Sequence, residues 1–157
     1  MVADMDKKPG HRALRAGRTS QPGGIYLVTF VTRGRQPLFR DFPLACAACA
    51  TFASSADRES ATLLAWVLMP DHFHGLIRLD GNRPLPRVVQ RMKSVASRAC
   101  RTRHPDMAIW ARAFHDHALR EDEDLRHAAR YLVANPVRAG LVEHVHDYPF
   151  WDAIWLS

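Results

Sequence analysis

The run over residues 65–79, AWVLMPDHFHGLIRL, constrains this chain more than any other stretch. Apolar residues flank a Met-Pro-Asp break, and His72 and His74 stand two apart just after it. Alternate residues of a strand share a face, so both imidazoles project from one side while Phe73 points to the other. The run therefore predicts two strands meeting around Met69-Pro70-Asp71, with a pair of imidazoles opening the second. Two imidazoles on one face are half of a divalent-metal site.

The rest of the chain supplies elements to surround that pair. Residues 25–32 (IYLVTFVT) are β-branched and aromatic and read as a first strand. Residues 42–58 are Ala-rich and helical, and residues 60–68 and 73–79 are the two strands of the opening run. Residues 85–103 repeat Val88, Val89, Met92, Val95, Ala96 and Ala99 at helical spacing, ringed by cations. Residues 109–119 read as a fourth strand. Residues 121–134 form a last helix whose first turn is acidic (Glu121, Asp122, Glu123, Asp124), which suits a helix N-terminus. The β-α-β-β-α-β order predicts an α+β, ferredoxin-like fold. Such a fold is an antiparallel sheet with helices on one face, here with the C-terminal helix that carries Tyr131 added. Residues 1–23 read as a basic N-terminal arm and 24–157 as one domain.

Charge narrows the partners. Lys and Arg number 22 against 16 acids, a net +6 over 157 residues that favours a polyanion. Candidate phosphate contacts are Arg18, Arg33, Arg35, Lys93, Arg98 and Arg138, each of which would otherwise be solvated surface. Cys46, Cys49 and Cys100 form no disulfide framework, and Cys46-Ala-Ala-Cys49 lacks a second pair to close a zinc site. No run of about eighteen apolar residues marks a membrane span. The N-terminus lacks the apolar stretch of a secretory signal. The expectation is a cytoplasmic protein without a membrane partner.

Tyr131 and Asn135 lie four apart in a helical pattern and so share a face, and Pro136 limits the helix there. Each has an ordinary structural role open to it, as a packed ring and as a helix cap. The His pair has competitors in His115-Asp116-His117, on a predicted strand, and His144-Val145-His146, in a polar stretch. His72 and His74 are preferred because their apolar flanks would hold both rings rigidly.

Taken together, five segments resemble the single-tyrosine HUH transposases, specifically the REP-associated tyrosine transposases of bacteria. They are GIYLVTFVTR (24–33), WVLMPDHFHGL (66–76), WARAFHDHALR (110–120), YLVANPVRAGLV (131–142) and Tyr148-Pro149. They run in family order from about Gly17 to Trp151. Asp71 departs from the pattern, which often has Asn there. The resemblance implies that His72 and His74 are metal ligands, that Asn135 completes the site for Mg²⁺ or Mn²⁺, and that Tyr131 is the nucleophile. It implies a 5′-phosphotyrosine intermediate and, as substrate, single-stranded DNA next to imperfect, REP-like hairpins. It further implies a monomer or a homodimer in which the tyrosine helix serves the other copy. The proton acceptor stays open among His117, Asp116 and water. Other readings are a HUH replication or mobilisation nickase, a non-catalytic DNA-hairpin-binding protein of the same fold, and a small metal-handling domain, which the basic charge disfavours.

Overall fold

Tyr26, Val28 and Phe30 are buried and the residues between them half-buried, the alternation that makes Ile25–Val31 a strand, β1. The computed structural model describes residues 20–120 and 123–156. Most of the expected basic arm, including Arg18, lies outside the described residues, as do Glu121 and Asp122. After β1 come helix α1 (Phe42–Asp57), strands β2 (Ala61–Met69) and β3 (His72–Leu79), and helix α2 (Leu85–Arg101). Strand β4 (His115–Ala118), helix α3 (Leu125–Val133), the short helix α4 (Asn135–Arg138) and strand β5 (Trp151–Ala153) follow. The sheet is antiparallel throughout, in the order β4-β1-β3-β2-β5. The first four strands have the expected ferredoxin-like arrangement, and β5 extends the sheet past β2.

One face of the sheet lies under α1 and α2. Phe30 and Phe73 stack there at 4.6 Å between centroids, Phe52 of α1 meets Phe73 at 4.7 Å, and Trp110 stands edge-on to Phe30 at 4.7 Å. Aromatic pairs contribute about 0.5–1.5 kcal/mol each beyond burial. A slip of one residue would carry Phe73 out of this cluster and push both histidines into it, so the same packing that holds β3 also orients the His pair. A bulge in β2 between Leu63 and Ala65 turns Leu64 and Ala65 to the opposite face. There Leu64, Ala65, Val67 and Leu76 pack against Ala129 and Leu132 of α3. Helices thus cover both faces, and α3, the tyrosine helix, lies on the histidine side.

Two expected boundaries change. The strand expected over 109–119 shrinks to β4 because Ile109 and Phe114 are buried in the core and the Lys93 ammonium binds the Ala111 and Arg112 carbonyls at 2.6 and 3.2 Å. Those carbonyls are engaged by a side chain, and Trp110 keeps only an isolated bridge to Thr32. The last long helix begins at Leu125 because the Asp124 carboxylate accepts from the Arg126 and His127 N–H groups as an N-cap. The stop before Pro136 holds: α3 ends at Val133 and Asn135 lies just outside it, while Pro136 itself sits in the first turn of α4, where a missing N–H costs nothing. Among the described residues no helix is long and apolar enough to cross a membrane.

Candidate functional site

Pro70 and Asp71 form a two-residue turn closed by the pair Met69–His72, which puts the His pair at the mouth of the central hairpin. The turn is anchored from β1. Fully buried Thr32 donates its backbone N–H to the Asp71 carbonyl at 2.9 Å and its hydroxyl to the Gln36 carbonyl at 2.7 Å. The Asp71 carboxylate lies 2.8 Å from His72 Nδ1 and 3.6 Å from the Arg35 guanidinium. An ionised carboxylate only accepts, so Nδ1 of His72 carries the proton and Nε2 the free lone pair. The sequence treated Asp71 merely as a departure from a pattern; here it orients a ring.

His74 sits between Thr29 of β1 and Val67 of β2. Burial pushes its imidazole down to about 4, and the neighbouring His72 and Arg138 push the same way. It is therefore a neutral ring at neutral pH. The Asn135 amide nitrogen lies 3.1 Å from His74 Nδ1. When that N–H donates to Nδ1, the ring proton sits on Nε2. With the amide turned over, its oxygen accepts from Nδ1–H and Nε2 is freed. Asn135 thus selects which His74 nitrogen is available.

Tyr131 lies one turn before Asn135 and is 60% exposed. Arg138 folds back over it, with its guanidinium carbon 3.8 Å from the ring centroid and an N–H donated to the Tyr131 carbonyl at 2.6 Å. The structure brings His72, His74, Asn135 and Arg138 together, with Tyr131 beneath Arg138 at the solvent edge. It keeps the competing pairs apart. His115 and His117 stand on β4, two strand spacings or about 10 Å from β3, and His117 pairs with Glu123 at 3.6 Å. His144 and His146 are exposed beside β5.

The expected phosphate contacts separate likewise. Lys93 is a clamp on two carbonyls, because its ammonium is already bound. Arg35 is tied to Asp71 at 3.6 Å, and Arg33 is exposed in the neighbouring turn. Arg98 lines a groove of about 740 Å³ between α2 and residues 108–114, on the face away from the histidines. Arg101 and Arg112 line it too, and no acidic side chain does among the described residues. Helical spacing along α2 could have pointed to Arg101; nothing local pointed to Arg112.

As a donor set, the group offers two imidazoles and an amide. Among the described residues no cluster of three or more His, Cys, Asp or Glu could hold a metal. Neutral donors leave a divalent cation its full charge, and hard ions such as Mg²⁺ and Mn²⁺ accept water and phosphate oxygens in their remaining positions. The residues therefore fit a site that substrate completes.

Residues 21–132, which include the His pair and Tyr131, match the family model of IS200-like transposases. The chain is 34% identical over 87 residues to the REP-associated tyrosine transposase of Escherichia coli, 55% of this chain and 50% of that protein. That match spans half the length of the relative. A Haemophilus influenzae protein named for the same group is 26% identical over 149 residues, 82% of this chain and 78% of its own. A solved structure of a REP-associated tyrosine transposase bound to a REP hairpin matches with a TM-score of 0.68 at 28% identity, covering 85% of this chain and 79% of that one. A Deinococcus radiodurans structure described as a transposase shares the fold, with a TM-score of 0.56 at 17% identity over 83% of this chain and 95% of its own. The chain belongs to the IS200-like transposase family, and the relatives it matches there are REP-associated tyrosine transposases.

Proposed function

We propose that this protein cleaves and rejoins single-stranded DNA beside a hairpin, with Tyr131 as nucleophile and with Mg²⁺ or Mn²⁺ held by His72, His74 and Asn135. The observation that carries the reading is the 3.1 Å approach of Asn135 to His74, which ties the start of α4, directly after the tyrosine helix, to the His pair. The Tyr131 oxygen would form a bond to a backbone phosphorus as the bond from phosphorus to the 3′ oxygen breaks. The products are a 5′-phosphotyrosine and a free 3′-hydroxyl. The phosphoester is conserved, so another 3′-hydroxyl can reverse the step and join a new strand. A divalent cation, when bound, supplies charge neutralisation and orientation for the scissile phosphate. Arg138, at 3.8 Å from the Tyr131 ring, would meet the same phosphate with the part of its charged fork not donated to the Tyr131 carbonyl. The departing tyrosine proton goes to water or to His117, which shares the histidine face through Leu27 and Leu76; Asp116, opposite Val28, projects from the other face.

A second reading, a hairpin-binding protein without cleavage, draws on the cationic groove of Arg98, Arg101 and Arg112. One experiment separates the two. The protein is incubated with a single-stranded DNA hairpin carrying an unpaired flank plus Mn²⁺, then run on a denaturing gel. A covalent protein–DNA band that Tyr131→Phe abolishes, while hairpin affinity stays within about twofold, supports cleavage. The loss of one hydroxyl removes the nucleophile and leaves the phosphate contacts intact. Normal cleavage by Tyr131→Phe overturns the assignment.

A further inference from the structure

Between the tyrosine helix and the last strand lies a cleft of about 320 Å³ that the proposed chemistry does not use. Arg126 and Arg130 of α3 rim one side, and Trp151 and Trp155 form the other over a floor that includes Ala129 and Ala153. We propose that this cleft holds an unpaired nucleobase of the DNA flank, and so fixes which phosphate reaches Tyr131. The inference rests on the single-stranded DNA reading above and names where that strand is gripped.

Three observations support it. First, the rings are presented to the solvent side and held. Both indoles are half-buried, and Trp151 donates from Nε1 to the Val145 carbonyl at 3.1 Å, which fixes its plane before any ligand arrives. A base stacks on such a ring whatever its identity, because every base has a π-face. Second, the charge suits a nucleotide. Arg126 and Arg130 are exposed, and no acidic side chain lines the cleft among the described residues. Asp152, the nearest acid along the chain, pairs across the sheet with Trp66 and therefore points to the other face.

Third, the cleft shares a row with the metal-site histidine. Trp151 stands opposite Val67, and Val67 stands opposite His74. Directly paired residues share a face, so Trp151 and His74 project from the same side two strand spacings, or about 10 Å, apart. Arg130 also immediately precedes Tyr131 in α3. A base seated in the cleft is thus tied to the nucleophile through one rigid helix and to the His pair through one sheet row. A short run of unstacked nucleotides can cover that interval. The basic groove on the opposite face is lined by Trp110 and Phe114, but those rings are committed to the core: Phe114 is buried, and Trp110 packs on Phe30 and Phe39.

The test pairs a protein change with a DNA change. Binding of a labelled hairpin with a short single-stranded flank is measured by fluorescence anisotropy in the Tyr131→Phe background, with each flank position replaced in turn by an abasic site. One flank position should lose about tenfold in affinity when its base is removed. Trp155→Ala should lose about as much on the intact probe, and the two losses should not add at that position. Trp155→Phe, which keeps a ring, should recover most of the affinity. Arg126→Gln, which disturbs no packed ring, should lower the log–log salt slope by about 0.7. Full additivity at every flank position, or unchanged affinity in Trp155→Ala, overturns the proposal and leaves the Tyr131 assignment untouched. A wild-type protein that binds the flanked hairpin but forms no covalent adduct overturns the cleavage reading, while the coupling measurement still decides the cleft.

Discussion

A single carboxylate governs the proton of the first histidine. Asp71 holds His72 Nδ1 at 2.8 Å, and so leaves Nε2 bare for a cation. Outer contacts of this kind typically change metal affinity by about 10- to 100-fold. Asp71→Ala should therefore weaken Mn²⁺ binding by about tenfold in calorimetric titration. Asp71→Asn should weaken it much less, because an amide oxygen can accept the same Nδ1–H and is the group the related pattern often carries. Equal losses in the two variants would show that the charge of Asp71, in its contact with Arg35, matters more than the hydrogen bond to His72. His74 answers to Asn135 in the same way, with burial keeping its ring neutral.

Strand β3 is the element on which the site depends, and its weakest tolerance is at Gly75. A Cβ built there would stand 2.6 Å from two ring atoms of Phe73 and 3.3 Å from Leu63. Phe73 cannot swing away cheaply, because Phe30 and Phe52 pack on it at 4.6 and 4.7 Å. Overpacking of this kind costs about 1–3 kcal/mol. Gly75→Ala should lower stability by that amount in urea unfolding and weaken Mn²⁺ binding with it, since His74 is the adjacent residue. A variant as stable as wild type would mean that β3 can shift without disturbing its aromatic cluster. The tyrosine helix depends on less. It is nine residues long and capped by Asp124, and it docks through few buried side chains, Ala129, Leu132 and Val133.

At the scale of the whole molecule, the sheet separates two kinds of surface. One side has the cationic groove of Arg98, Arg101 and Arg112, and the other has the His pair, Tyr131 and the two indoles. With a net charge of +6, binding should weaken as salt rises, by a log–log slope of about 0.7 for each single-strand phosphate neutralised. The proposed in-line attack by Tyr131 would need flanking nucleotides that can splay, which stacked and paired bases resist. Gel analysis should show cleavage in a single-stranded flank beside a hairpin and none after the same sequence is annealed to its complement. Efficient cutting of the blunt duplex would defeat the tyrosine mechanism and favour a nuclease that uses water.

The strands and helices were legible along the chain because hydrophobic period is set by neighbours within a few residues. The alternation of Tyr26, Val28 and Phe30, the spacing of Val88, Val89 and Met92, and the shared strand face of His72 and His74 all belong to that range. The family segments likewise lie in the chain as written, from GIYLVTFVTR to YLVANPVRAGLV. Three His-x-His pairs look alike locally; strand order alone puts β3 under the tyrosine helix and β4 at the far edge. Lys93 looks like any surface cation until it meets two carbonyls eighteen and nineteen residues away. Strand β5 is three residues with no period to read, and it exists because β2 offers it an edge. These features depend on groups distant in the chain that become neighbours only when the sheet closes, and that long-range pairing is what the tertiary structure decided.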